Sequence, residues 1–520
     1  MNYQEDTTID EVKNLVEIPE DQIASKECRF ATYCKPSDFN QPDLHVIKEI
    51  IHTKDGRTIP NLRFEYNRTR PFWITKKGFR DHQQTKENEK IERLQRYKAT
   101  QSKLNLAISR VLNMPHLATN QRKLYECPYI FGVDISSTAV IKKAYKEKYK
   151  KNTAYSVCEL DIETNMFTDE GEPLMCTISM KEKLFTVIVK DYLKGFYNPL
   201  EEIDKLTMKY LGDHVTKRNI KLESQIVEDP MQMWEVIFAK VHEWKPDFLS
   251  IWNITFEMNK FLETCERHGK DPKFIVCDPS VPDEYKHFSY IEGKPIKIMA
   301  SGKSMPIRPA ARWHKVIAPA SFIMIDQMCV YKQTRNGTAE EPSYSLEYLL
   351  QKELGLGKLK FEEADHLVPA SAEWHMFMQK NYPLHYVVYN RFDCIGPELL
   401  DEKVKDLSFV MPSMADTSDF ERFNSQPRRT VEKLHWFLME QKERIMGVTS
   451  SAMVDEFDDE TISRQDLIKK CNLTALLSLI FCHTKGRYVR ADVATIHTRQ
   501  VPSGSGWKCL HNRRQRSRCD

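Results

Sequence analysis

Long apolar runs are missing from this sequence of 520 residues. No stretch reaches the roughly 20 apolar residues that span a bilayer, so no membrane helix is expected. Glycine is scarce at 17 residues, which argues against Gly-rich loop architectures. A net charge of only +3 gives no global field, so any nucleic-acid binding must come from local basic patches. The 13 cysteines contain no C-x-x-C pair and the 16 histidines no H-x-x-x-H spacing, so no zinc site is expected. The expectation is a reduced chain of the cytoplasm (the host's, if viral), with cysteines serving as small core residues. Met1 to Asp6 is polar and acidic, unlike a signal or transit peptide.

What is present is a globular composition, 41% hydrophobic and 29% charged, long enough for about three domains at roughly 150 residues each. Residues 1–150 hold strand-like runs at 44–51 and 59–66 around the turn Asp55-Gly56. A charged stretch at 86–113 follows, with Ile91, Leu94, Leu104, Ile108, Val111 and Leu112 at helical spacing and Pro115 as its stop. This predicts an α+β N-terminal domain. Residues 151–405 begin with three strands, 155–163, 174–180 and 184–189, joined by short polar links as an antiparallel meander. Asp229-Pro230 opens a helix with the stripe Met233, Val236, Ile237 and Val241. Pro246-Asp247 ends it before a buried strand at 248–252. A second helix carries Met258, Phe261, Leu262 and Cys265 and stops at Gly269. Further elements are a strand at 323–328 and helices at 344–353, 384–392 and 426–444. The fold class is therefore α/β, a mixed sheet flanked by helices, with a helical extension over 406–470 and a basic, poorly structured tail over 471–520.

Three motifs carry the chemistry. On a strand, Asp161 and Glu163 share one face while Leu160 and Ile162 face the core. Adjacent carboxylates repel unless a cation neutralises them, so the pair reads as a divalent-metal site, or else as a solvated acidic edge. Asn253 and Glu257 fall where the buried strand hands over to a helix, a place for functional groups but also one where the helix dipole favours a glutamate. Tyr389 and Asp393 are four apart on a helix and share a face, so a phenol and a carboxylate could orient a water; alone, such a pair is also common in structural roles.

In this order the motifs resemble the DEDD exonucleases of the tyrosine type, whose fold is RNase H-like. Asp161-Ile162-Glu163-Thr164, Lys245-Pro246-Asp247, Tyr344 to Leu349 and Arg70-Pro71-Phe72-Trp73 are similar to the N-terminal and exonuclease domains of family-B DNA polymerases of bacteriophage type, over about residues 30–440. The resemblance implies Mg²⁺- or Mn²⁺-dependent removal of nucleotides from the single-stranded 3′ end of a DNA primer. It implies that Asp161 bridges two ions, that Glu163 and Asp393 hold the ion carrying the attacking water, that Glu257 faces the second ion and that Tyr389 orients the water. Glu257 is a departure, since the family usually has aspartate there; a non-catalytic DNA-binding or scaffolding module is the alternative.

Phe167 and Phe256 are candidates for contact with DNA bases, and Asn253 for organising the second motif. Arg308, Arg312 and Lys315, with Trp313 among them, read as a basic loop suited to a DNA backbone. Asp326 reads as a structural acid. The palm motifs of a complete family-B polymerase are not found. The expectation is a split or truncated polymerase that works with a separate palm chain and replisome proteins such as a sliding clamp, and does not itself transfer nucleotides.

Overall fold

Alternating apolar side chains build six strands at the centre of the molecule: β1 (Val157–Thr164), β2 (Pro173–Met180), β3 (Lys183–Val189), β4 (Lys221–Val227), β5 (Phe248–Ile251) and β6 (Ile323–Asp326). They form one sheet in the order β4-β3-β2-β1-β5-β6. The first three are the expected antiparallel meander. β4 adds parallel to β3, β5 parallel to β1, and β6 parallel to β5. The structure is a computed structural model and describes residues 7–38, 40–149, 152–299, 301–337 and 339–448. The expected 471–520 tail lies outside them, as does the end of the 406–470 extension.

Seven helices frame the sheet: α1 (Pro199–Arg218), α2 (Pro230–Trp244), α3 (Ile254–Arg267), α4 (Gln327–Thr334), α5 (Leu346–Leu354), α6 (Ala372–Asn381) and α7 (Pro383–Val404). α2 begins as its sequence dictates. The Asp229 carboxylate accepts from the backbone N–H of Met231 (2.8 Å) and Gln232 (3.0 Å), and Pro230 sits in the first turn. α2 and α3 bury one face of the sheet through Leu160, Ile162, Ile178, Trp234, Phe238 and Phe261. Each such side chain contributes roughly 1.5–3 kcal/mol of burial. α1 and α7 cover the other face, where Val387 shares a core cluster with Ile188 and Ile203, and Val388 shares another with Leu184 and Leu211.

α7 runs well past the helix expected at 384–392 and contains Pro397. Proline has no N–H, so the carbonyl of Asp393 loses the bond that residue 397 would give it. Separately, the side-chain amide of Gln327 donates to the Pro397 carbonyl at 3.1 Å and ties the start of α4 to this part of the helix.

The N-terminal part is rich in β structure. Leu44–Thr53 and Thr58–Tyr66 form the expected hairpin within a four-stranded antiparallel sheet. The helix expected over 86–113 is corrected. Asn88–Lys90 and Leu94–Thr100 are strands joined by a single 3-10 turn at Ile91–Arg93, and the α-helix is confined to Leu104–Val111. Ile91 and Leu94 pack with Trp73 and Phe131, whereas Leu104 and Ile108 belong to a second cluster with Phe72 and Leu124. Two sets of apolar residues serving two cores had mimicked one helical stripe. Lys48, on the first strand of that hairpin, reaches into the junction with the central sheet. Its ammonium donates to the carbonyls of Lys245 (2.9 Å), Pro246 (3.4 Å) and Ser321 (2.8 Å), and burial pushes its pKa down to about 8. No helix among the described residues is long and apolar enough to cross a membrane.

Candidate metal centre

Strand register sets the site. β5 runs parallel to β1 with Ile251 beside Leu160, so the chain leaves the sheet at Trp252, level with Asp161. β6 runs parallel to β5 with Asp326 beside Ile251. The carboxyl ends of β1, β5 and β6 therefore open at one edge, where open α/β sheets place their ligands. α7 crosses the face of β1 that carries Asp161 and Glu163. Its Asp393 brings a third carboxylate, and ligand oxygens of Asp161, Glu163 and Asp393 all lie within 4.8 Å of one another.

Each of the three commits one oxygen to a protein donor. The Asn390 amide donates to Asp161 Oδ2 at 2.7 Å, the Tyr386 hydroxyl donates to Glu163 Oε2, and Lys358 Nζ donates to Asp393 Oδ2 at 2.6 Å. Asp393 Oδ1 is buried with no hydrogen-bond partner among the described residues. Lys358 also donates to the Tyr389 hydroxyl at 2.9 Å, which joins the phenol to the acidic group.

The electrostatics follow from this crowding. Burial, then the charge of Asp393, raises the pKa of Asp161. Burial and Asp161 raise Glu163 well above the usual carboxylate range. Burial also raises Asp393, against the pull of Lys358. For Lys358 burial opposes the charge, but Asp393 and Tyr389 beside it win and hold the ammonium protonated. One ammonium cannot neutralise three carboxylates. An all-oxygen donor set with an uncommitted buried oxygen suits a hard divalent cation.

Glu257 lies outside this group of three. It is buried in the first turn of α3, with Oε2 lacking a partner among the described residues. Burial and the charge of Asp161 raise its pKa well above the ordinary value, so it is close enough to feel the cluster. Asn253 is exposed and its side chain makes no capping bond. The role expected of it falls to Asp326, which accepts from Ile254 N at 3.2 Å and from Cys329 N at 2.7 Å, tying the starts of α3 and α4 together.

Phe167 and Phe256 are 56% and 41% exposed, which leaves their rings available for stacking. The expected basic loop separates into parts. Arg312 Nε donates to the Ile307 carbonyl (3.0 Å), and Trp313 donates to the Glu421 carbonyl (3.0 Å) and packs on Phe423. Lys315 lies on a short strand paired with Ser289–Ile291. Arg308 remains exposed, paired with Glu340 at 3.3 Å, and lines a cleft of about 730 Å³ with Trp252, Tyr344, Lys358, Lys360 and Tyr389.

Sequence reasoning missed Lys358, Tyr386 and Asn390. Tyr386 and Asn390 had a signal, because they flank Tyr389 on the helical face that bears Asp393. Lys358 had none. It also missed a second group, His314, Asp326 and Cys329, whose ligand atoms lie within 4.8 Å of one another. There Cys329 Sγ donates to the Arg312 carbonyl at 3.0 Å and Asp326 is held by two backbone N–H groups, so the group already serves as a cap. The chain matches no protein-family profile and no curated protein.

Proposed function

We propose that this chain is a metal-dependent 3′→5′ exonuclease acting on single-stranded DNA ends, the proofreading part of a family-B DNA polymerase with an RNase H-like exonuclease domain. The observation that carries the reading is the convergence of Asp161, Glu163 and Asp393, from strand and facing helix, with Tyr389 one turn away and tied to the same lysine. An antiparallel meander extended from its first strand by two parallel ones supports the fold assignment.

The residues fit a divalent cation, Mg²⁺ or Mn²⁺. Asp161, Glu163 and Asp393 would hold one, and Glu257 with Asp161 a second. Bound there, such ions supply the positive charge that stabilises the transition state of phosphodiester hydrolysis. The protein's part is placement. The Tyr389 hydroxyl, fixed by Lys358, orients the water whose oxygen attacks the terminal phosphorus as the bond to the leaving 3′ oxygen breaks. Phe167 and Phe256 offer faces for base stacking, and Arg308 and Lys360 in the cleft offer charge to the backbone.

The test is digestion of a 5′-labelled single strand by the purified chain. Stepwise shortening from the 3′ end with Mg²⁺ or Mn²⁺, stopped by EDTA and lost in Asp161→Ala, is the expected result. No shortening with either ion refutes the activity. One observation favours a second reading, a DNA-binding module without hydrolysis: Glu257 stands outside the carboxylate group of three. That reading predicts retention of the strand without shortening.

A further inference from the structure

We propose that His375 and Tyr386 form a positioning relay that fixes Glu163 for cation binding, and that α6 is the element that supplies it. The inference rests on the reading of Glu163 as a cation ligand and adds residues which that reading does not contain.

Tyr386 precedes Tyr389 by three residues on α7, and the two rings stack at 5.8 Å between centroids and 8° between planes. A phenol has one proton. Tyr386 gives it to Glu163 Oε2, so its oxygen is left as an acceptor. His375 Nδ1 lies 2.7 Å from that oxygen. With Glu163 ionised, as cation binding requires, the chain of hydrogen bonds has a direction: His375 Nδ1–H donates to Tyr386 Oη, and Tyr386 O–H donates to Glu163. This assigns the histidine the tautomer with its proton on Nδ1.

The relay is anchored at both ends. His375 meets the rings of Tyr386 and Tyr389 edge-on, at 5.7 and 5.8 Å, and Trp374 packs against Tyr389 at 4.8 Å. One turn further along α6, Gln379 grips the backbone at the end of β1. Its amide donates to the Thr164 carbonyl at 2.7 Å, and its oxygen accepts from Met166 N at 3.0 Å. α6 thus holds the same strand end twice, by its backbone through Gln379 and by its carboxylate through His375 and Tyr386. With Oε2 held by Tyr386, Glu163 keeps Oε1 as a ligand atom for a cation. Donors behind metal ligands typically matter 10–100-fold in affinity.

The experiment measures Mn²⁺ binding to the full chain by electron paramagnetic resonance, without DNA, beside digestion of a single strand. Tyr386→Phe removes one oxygen and keeps the ring. The expected result is a Mn²⁺ dissociation constant raised about 10-fold, with the metal concentration for half-maximal digestion raised in parallel. His375→Ala weakens binding in the same direction, and His375→Asn, whose amide can donate from near the Nδ1 position, restores it. Circular dichroism checks that each variant is folded. If the wild-type chain binds Mn²⁺ and Tyr386→Phe binds it equally, the relay is overturned and the exonuclease reading stands. The relay is also overturned if His375→Asn fails to restore what His375→Ala loses. If the wild-type chain binds no Mn²⁺, the relay falls together with the reading it rests on.

Discussion

Two ends of one seam between β1 and α7 treat buried acids in opposite ways. At the far end, Glu398 accepts from Ser179 Oγ (2.6 Å) and Lys181 N and pairs with Arg218, while Asp401 accepts from Leu407 N (2.7 Å) and Ser408 N (3.2 Å). Glu159, on the same face of β1 as Asp161, completes that end; burial raises its pKa well above the usual range. At the near end, three carboxylates share Asn390, Tyr386 and Lys358, one donor each, and Asp393 keeps an oxygen with none. Glu398 and Asp401 each hold at least two donors of their own, and Glu159 stands outside the group of three carboxylates although its Oε1 also lacks a partner among the described residues. At the near end three carboxylates offer ligand oxygens within 4.8 Å of one another, an arrangement that could hold a metal ion.

The sharpest way to break this comparison is a crossed pair of substitutions. At the near end, Asp161→Asn is expected to lower single-strand digestion by about 10³-fold or more, since residues acting as a unit fail together. The same change relieves repulsion, so the melting temperature in EDTA rises. A variant that digests normally, or that melts lower in EDTA, breaks the contrast. Lys358→Met comes next. Digestion falls by about 10²-fold because the Tyr389 phenol loses its anchor, the scale expected for a misplaced reacting group. Steady-state rates on one oligonucleotide check it, and an unchanged rate removes Lys358 from the site.

At the far end, Glu398→Gln is expected to leave digestion per folded molecule unchanged. It costs about 2 kcal/mol of stability, because half-buried Arg218 loses a charged hydrogen bond and keeps only the exposed Glu402 at 3.0 Å. Urea unfolding measures the loss. The smallest effect belongs to Lys48, a buried cation among carbonyls and a control of opposite sign. Its folded pKa is lowered from 10.5 to about 8, so between those values only the unfolded chain keeps the proton. Stability therefore rises with pH across that window, by the linkage of bound protons to folding. Lys48→Met removes that rise. Unfolding curves at pH 8 and pH 10 decide it, and an equal rise in both proteins refutes the assignment.

The meander, α2 and the placement of Asp161, Glu163, Tyr389 and Asp393 were legible because each rests on local rules. These are the period of two on a strand, an Asp-Pro helix start, and spacings of three and four on a helix. β4 was not legible. Lys221, Glu223 and Gln225 alternate with Leu222 and Ser224 as an edge strand does, and the pairing partner that makes it a strand lies some forty residues earlier in the chain. Lys358 and Asp393 are 35 positions apart, and Asp326 and Ile254 72. No spacing rule reaches so far. The false helix at 86–113 failed for a related reason, because periodicity records that residues are apolar and not which core they join.

Pro397 gives the long helix a further property. The missing N–H falls opposite the carbonyl of Asp393, the boundary between the part of α7 that bears Tyr386, Tyr389 and Asp393 and the part that bears Glu398 and Asp401. The helix is therefore one backbone hydrogen bond short at that boundary and nonetheless continuous across it. The rear segment is fastened by Glu398 to Arg218 and by Asp401 to the turn after α7, so the acids of the pocket and those of the packing behind it lie on opposite sides of the missing bond.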